Sequence, residues 1–258
     1  MKVQNIEHTS KVEIIILIAS YLILVAVNAF SEIFKFAGVT AADVSNEVFT
    51  WFAPAGYVFS IWSVIYIGLI VWIVRYIRND NHTSQFAGLP ISLEALLFVT
   101  SCVLNIAWLI IWHLKIFAAT IPVIIALLIT VSALYVATWK RSEAKLDRIP
   151  IAIYASWLTV ATIANIAHVI TRTNTSFDSG LLPAITTLAL LFVLAIATFV
   201  VHHFFNDYAF GIVIAWAGIG VGVHLIPVAP IIGVISILVS TIGIAIALLP
   251  WEKISLSK

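Results

Sequence analysis

Three groups of side chains in this sequence have the types and spacing to hold a flat, largely apolar molecule. Phe59, Trp62 and Tyr66 fall at i, i+3 and i+7, and Asn105, Trp108 and Trp112 repeat that spacing. Trp157, Ala161 and Asn165 fall at i, i+4 and i+8, with His168 three residues beyond. On a helix each group lines one stripe. Indole and phenol faces stack on flat apolar surfaces, and amides hydrogen-bond the few polar groups such a molecule carries. The same residues also suit a plainer role. An unpaired amide is costly in hydrocarbon, so Asn105 and Asn165 are expected to face the interior and bond a neighbouring helix. Spacing leaves both readings open.

Other chemistry finds little support. There is no HExxH, no GxSxG and no phosphate loop, and the spans hold no dedicated acid–base pair, so no catalytic residue is expected. Gly218, Gly220 and Gly222 lie inside an apolar run rather than after a strand, which excludes a nucleotide fingerprint. Gly218 and Gly222 instead form a GxxxG suited to close helix packing. Cys102 is the one cysteine, so neither a disulfide nor a cysteine zinc site can form within the chain. His113, His168, His202, His203 and His224 are expected to be interfacial or hydrogen-bonded rather than haem ligands, His168, on the Asn165 stripe, being the best exception. Glu94 suits the N-terminal end of its helix, and no catalytic role is assigned to it.

The elements that must position these side chains are transmembrane helices. Of 258 residues, 62% are hydrophobic and 10% charged, with a mean hydropathy of +1.13. Soluble domains carry about a quarter charged residues, so lipid rather than water must cover this surface. The net charge of +1 gives no reason to expect nucleic acid. A spanning helix needs about 20 mostly apolar residues, and such runs occur at roughly 14–30, 55–74, 91–112, 119–139, 150–171, 181–201, 208–226 and 228–249. They are too long and continuous for barrel strands. The fold class is therefore all-α, a polytopic bundle of about eight helices. The first run has no small-x-small cleavage site behind it and is expected to be retained.

Pro54, Pro90, Pro122, Pro150, Pro183 and Pro230 each fall where a helix is expected to start, and Pro250 closes the last. Asn206-Asp207 offers a capping side chain for the seventh. Trp51, Trp139 and Trp251 suit the membrane interface. Lys2, Lys11, Arg75, Arg78, Lys140, Arg141, Lys145, Arg148, Lys253 and Lys258 fall on the side of the N-terminus; only Lys35, Lys115 and Arg172 fall on the other. Positive residues stay cytoplasmic, so a multi-pass protein of the cell membrane with both termini inside is expected. Fusion of the last two runs, across Pro227 and Pro230, would break that pattern. The long external connection 31–54 has the length of a lid or binding loop.

Three motifs then carry a resemblance. Phe52 to Tyr66, F-A-P-A-G-Y-V-F-S-I-W-S-V-I-Y, resembles the second-helix motif of the TspO/MBR family, the tryptophan-rich sensory and translocator proteins. Leu104 to Trp108, L-N-I-A-W, resembles its third-helix LNxxW. Tyr154-Ala-Ser-Trp157 with Asn165 resembles its fifth-helix PYxxW…LN, with Ile153 in place of the proline. The resemblance covers roughly 10–172. It implies a five-helix ligand-binding bundle there and leaves 181–250 as an additional three-helix membrane segment. It implies porphyrin-like or other flat hydrophobic ligands, a sensory or transport role, and a homodimer in a lipid membrane. No cofactor is required; a tetrapyrrole, porphyrin or haem, would be ligand. The ligand-binding residues it implies are Trp51, Trp62, Tyr66, Asn105, Trp108, Trp157, Ala161 and Asn165. The fifth helix ends His168-Val-Ile-Thr-Arg172 without the tyrosine of the animal cholesterol-recognition segment, which argues against steroid binding. Two further readings are a permease for a small hydrophobic solute and an enzyme degrading a bound tetrapyrrole. Neither an inverted repeat nor an interrupted helix pair favours the permease.

The charge bias generates a direct test of topology. A fluorescent protein fused after Lys258 should fluoresce in cells, and an alkaline phosphatase fused there should be inactive; the reverse pair would place the C-terminus outside.

Overall fold

The computed structural model describes residues 11–79 and 91–249. Lys2, Pro90, Pro250, Trp251, Lys253 and Lys258, used above, lie outside the described residues. The elements are α1 (Lys11–Ile33), α2 (Ala41–Ser45), α3 (Ile61–Arg78), α4 (Leu93–His113), α5 (Phe117–Arg141), α6 (Lys145–Thr173), α7 (Leu181–Phe205), α8 (Ala209–Leu225), α9 (Pro230–Leu238) and α10 (Ile244–Ala247). Short 3-10 turns precede α3 at Gly56–Ser60 and α7 at Thr175–Phe177, and a π-helical turn, Val239–Gly243, joins α9 to α10. No strand occurs among the described residues.

Seven helical stretches among them are long and apolar enough to cross a membrane. α8, at 17 residues, stands at the short end of what a span requires. The last two runs do not fuse. Val228 and Ala229 both donate backbone N–H groups to the Leu225 carbonyl, closing a turn before Pro230 opens α9. The Asp207 carboxylate accepts from the backbone of Ala209 (2.8 Å) and Phe210 (3.2 Å), the expected cap of α8. Asn206 ends α7 in the left-handed region, at φ 48°.

The proline reading needs one correction. Pro122 and Pro150 stand inside α5 and α6 rather than at their starts, because those helices begin earlier, at Phe117 and Lys145. A proline past the first turn leaves a carbonyl of the preceding turn without its N–H donor. Membrane helices tolerate this where neighbours and local hydroxyls compensate. Gly68 of α3 lies against the Pro150 ring; a Cβ there would stand 3.3 Å from the proline Cβ.

The chain forms two compact units. The first holds residues 1–47 and 60–162, the second 48–59 and 163–258, so the border falls inside α6. In the first, α4 packs against α1, α2 and α5. Its start is tied to its neighbours by buried polar groups. Arg141 Nε donates to both Glu94 oxygens (2.8 and 3.0 Å), and each side chain is at most 3% exposed. Thr138 also donates to Glu94 (3.0 Å), and the Arg141 guanidinium lies 5.3 Å from the Tyr76 ring centre. Tyr76 donates to Glu13 (2.6 Å) and shares a bond with Ser92 (2.6 Å). Arg75 pairs with Asp147, which also takes the Ser142 hydroxyl. Glu94 thus does more than suit its helix terminus: it joins α4 to α5.

In the second unit, α8 packs against α9 and α7. The GxxxG is what permits this. A Cβ on Gly222 would stand 2.7 Å from the Gly233 carbonyl oxygen, and one on Gly218 would meet Ser240 of the π turn at 2.1 Å. Close backbone approach replaces the hydrophobic drive that lipid cannot supply.

Breaking the Glu94–Arg141 pair from one side should be costly. Arg141→Leu strands a buried carboxylate, and a loss of about 3–5 kcal/mol is expected, seen as a lowered unfolding midpoint in detergent. The double variant Glu94→Leu/Arg141→Leu should regain most of it.

Candidate functional site

Six of the expected ligand residues lie in the first unit: Trp62, Tyr66, Asn105, Trp108, Trp157 and Ala161. Trp51 and Asn165 lie in the second. The six form two groups.

The first group is an aromatic cluster on α3 and α6. Trp62 and Tyr66, one turn apart on α3, stack with centroids 5.8 Å apart and planes at 22°. Trp157 and Tyr154 of α6 each meet Trp62 edge to face at 6.2 Å. Trp157 and Tyr154 are buried, whereas Trp62 and Tyr66 are half-buried. The stacked pair therefore keeps open ring surface beside a fixed aromatic wall. Ring quadrupoles favour these offset and edge-on geometries.

A line of hydrogen bonds fixes that wall. The Asn105 amide donates to the Tyr154 hydroxyl (3.0 Å), and Asn28 of α1 donates to the Asn105 carbonyl oxygen (3.3 Å) and to the Leu24 carbonyl (2.9 Å). α1, α4 and α6 are thus joined through amides in mid-helix. Tyr21 adds a bond from its hydroxyl to the Tyr66 carbonyl (3.1 Å). Sequence reasoning singled out Asn105 but missed Asn28, Tyr21 and the part Tyr154 plays. The signal for Asn28 was available, since a mid-membrane amide needs a partner as much as Asn105 does.

Trp108 lies elsewhere. It stacks on Trp112 (5.5 Å, 18°) in a core with Ala41, Val44, Leu109 and Ile124, against which Ala161 also packs. Trp112 donates its indole N–H to the Ala41 carbonyl (3.1 Å). These two tryptophans seat α2, which belongs to the long connection 31–54. Thr40 and Asp43 cap α2 reciprocally, Glu32 accepts from the Ala41 N–H (3.1 Å), and Lys115 pairs with Glu47. The Thr40 backbone N–H and then its hydroxyl hold the Asp43 carboxyl below the usual carboxylate range. The lowered value means that the cap is present at neutral pH and is lost as acid protonates Asp43. This part of the connection is a docked segment of the first unit.

Of the histidines, His113 bonds Ser31 (3.0 Å) and the Leu109 carbonyl (2.8 Å), and His224 stacks on Phe49 at 4.8 Å. His202 lies 4.5 Å from Tyr208. His168 is buried in the second unit. Trp139 receives the Arg148 guanidinium 5.0 Å above its ring. Trp51 donates its indole N–H to the Asp178 carbonyl (3.2 Å).

A stacked tryptophan–tyrosine pair on α3, an asparagine on α4 and a tyrosine–tryptophan pair on α6 thus come together in the first unit. The model of one family, TSPO-like protein, matches residues 14–249. The chain belongs to the TSPO-like family. The match takes in the segment beyond residue 180 as well as the motif-bearing helices. No curated protein and no solved structure matches the chain. With its apolar helices, this TSPO-like chain is a multi-pass membrane protein of TspO type.

The role given to Tyr154 is open to test. Tyr154→Phe keeps the ring against Trp62 but leaves the buried Asn105 amide without its acceptor. A loss of about 1 kcal/mol is expected, read as a small drop in the detergent unfolding midpoint. An unchanged midpoint would show that the bond contributes nothing.

Proposed function

We propose that this TSPO-like protein binds porphyrin-like or other flat hydrophobic ligands within the membrane, in a sensory or transport role. One observation carries the reading: the half-buried Trp62–Tyr66 stack standing against the buried Trp157 and Tyr154 rings. A flat ligand gains by stacking on rings whose positions are already fixed, because little side-chain freedom is lost on binding. Asn105 acts here chiefly through Tyr154, which it holds in place. Trp108 and Ala161 support the site from the neighbouring core. Family membership supports the same reading.

Adding protoporphyrin to the purified protein should quench tryptophan fluorescence saturably. Trp62→Ala and Trp157→Ala should each weaken the apparent affinity by about tenfold, the value of a lost aromatic pair. Wild-type protein without saturable quenching would sink the proposal.

A further inference from the structure

The second unit contains a cavity that the aromatic cluster does not use. It measures about 250 Å³ and is bounded by the ends of α6 and α7, the segment 50–52 and Phe177. Two helical stripes form its long walls. Ile163, Ile166, Ala167 and Ile170 repeat at i, i+3, i+4 and i+7 on α6, and Pro183, Thr186, Thr187 and Leu190 repeat the same spacing on α7. The stripes are complementary in position but not in bulk. Ala167, Pro183 and the threonines are too small to fill the space between the two helices, and the gap remains.

The walls are carbon. Three of the polar groups at the site are already engaged: Thr186 donates to the Leu182 carbonyl (2.8 Å), Thr50 to the Val48 carbonyl (3.3 Å), and the Trp51 indole N–H to the Asp178 carbonyl. A charged or strongly polar molecule would lose its hydration there without replacement. Ile170, on the wall, is 38% exposed, so the cavity opens on the apolar outer surface of the unit. Protein interiors keep few voids larger than a water molecule, and a dry apolar cavity of this kind takes apolar guests.

We infer that this cavity is a second ligand site, for a compact uncharged molecule of one or two fused rings that enters from the lipid phase. Size sets the class. A cavity of about 150 Å³ holds benzene, so one of 250 Å³ suits about ten non-hydrogen atoms. A tetrapyrrole macrocycle exceeds that, which separates this site from the one proposed on Trp62.

The probe is 1-fluoronaphthalene, followed by fluorine NMR on the full chain. Saturable exchange broadening is expected with wild-type protein, beyond that of empty micelles. Ala167→Phe and Thr187→Leu, which fill the cavity from opposite walls, should each weaken binding at least tenfold, about 1.4 kcal/mol. Both filling variants are also read in the Trp62→Ala background, which removes the other flat-ligand surface: there the probe should still bind saturably, the filling substitutions should still weaken it, and protoporphyrin should not displace it. Wild-type binding in both filling variants overturns the proposal; if Ala167→Phe fails to fold, Thr187→Leu decides. Binding in detergent that vanishes in lipid nanodiscs would assign the cavity to acyl chains and overturn the small-molecule reading. Porphyrin quenching that fails while the probe still binds would remove only the Trp62 site.

Discussion

Hydrocarbon offers no hydrogen-bond partner, and the rest of the structure follows from that constraint. A polar side chain within a span finds its partner either on its own helix, as Thr130 does at the Ala126 carbonyl, or on another part of the chain. In the first unit this produces two sets of bonds. At the start of α4, Glu94 answers Arg141 and Thr138, while Glu13 answers Tyr76. In mid-helix, Asn105 answers Asn28 and Tyr154. The first set links successive long helices, α1 to α3 and α4 to α5, and the second links α1, α4 and α6. The few polar residues therefore fix which helices are neighbours, a choice that apolar surfaces bathed in lipid leave nearly degenerate.

The aromatic cluster depends on the second of these sets. Tyr154 is held by Asn105, Trp62 meets Tyr154 and Trp157 edge-on, and Tyr66 stacks on Trp62. Binding surface and structural bond are then the same residues seen from two sides. The two readings of Asn105, helix glue and ligand contact, cease to compete: its amide acts on a ligand through the ring it positions.

The second unit uses a different device. Its contacts rest on absent side chains: Gly222 against the Gly233 carbonyl and Gly218 against Ser240. Where small residues meet glycine, backbones close up. Where Ala167 and Thr187 belong to α6 and α7 stripes flanked by larger residues, a cavity remains. The same residue class gives contact or void according to its neighbours.

The sequence by itself determined the class of protein, the place of each helix within a few residues, the α8 cap at Asp207 and the close packing of the GxxxG. These are local matters: apolar length, a side chain beside its own helix end, a missing Cβ. It also marked Trp62, Tyr66 and Trp157 as one kind of surface, because helical spacing puts them on stripes. Tertiary structure alone decided which stripes meet. It brought Trp62 to Trp157, turned the Trp108–Trp112 stripe toward α2, paired Glu94 with Arg141, and placed the start of α5 and α6 ahead of their prolines. The reason is physical. A stripe states what a helix presents, and only the partner helix across the gap states what it presents it to.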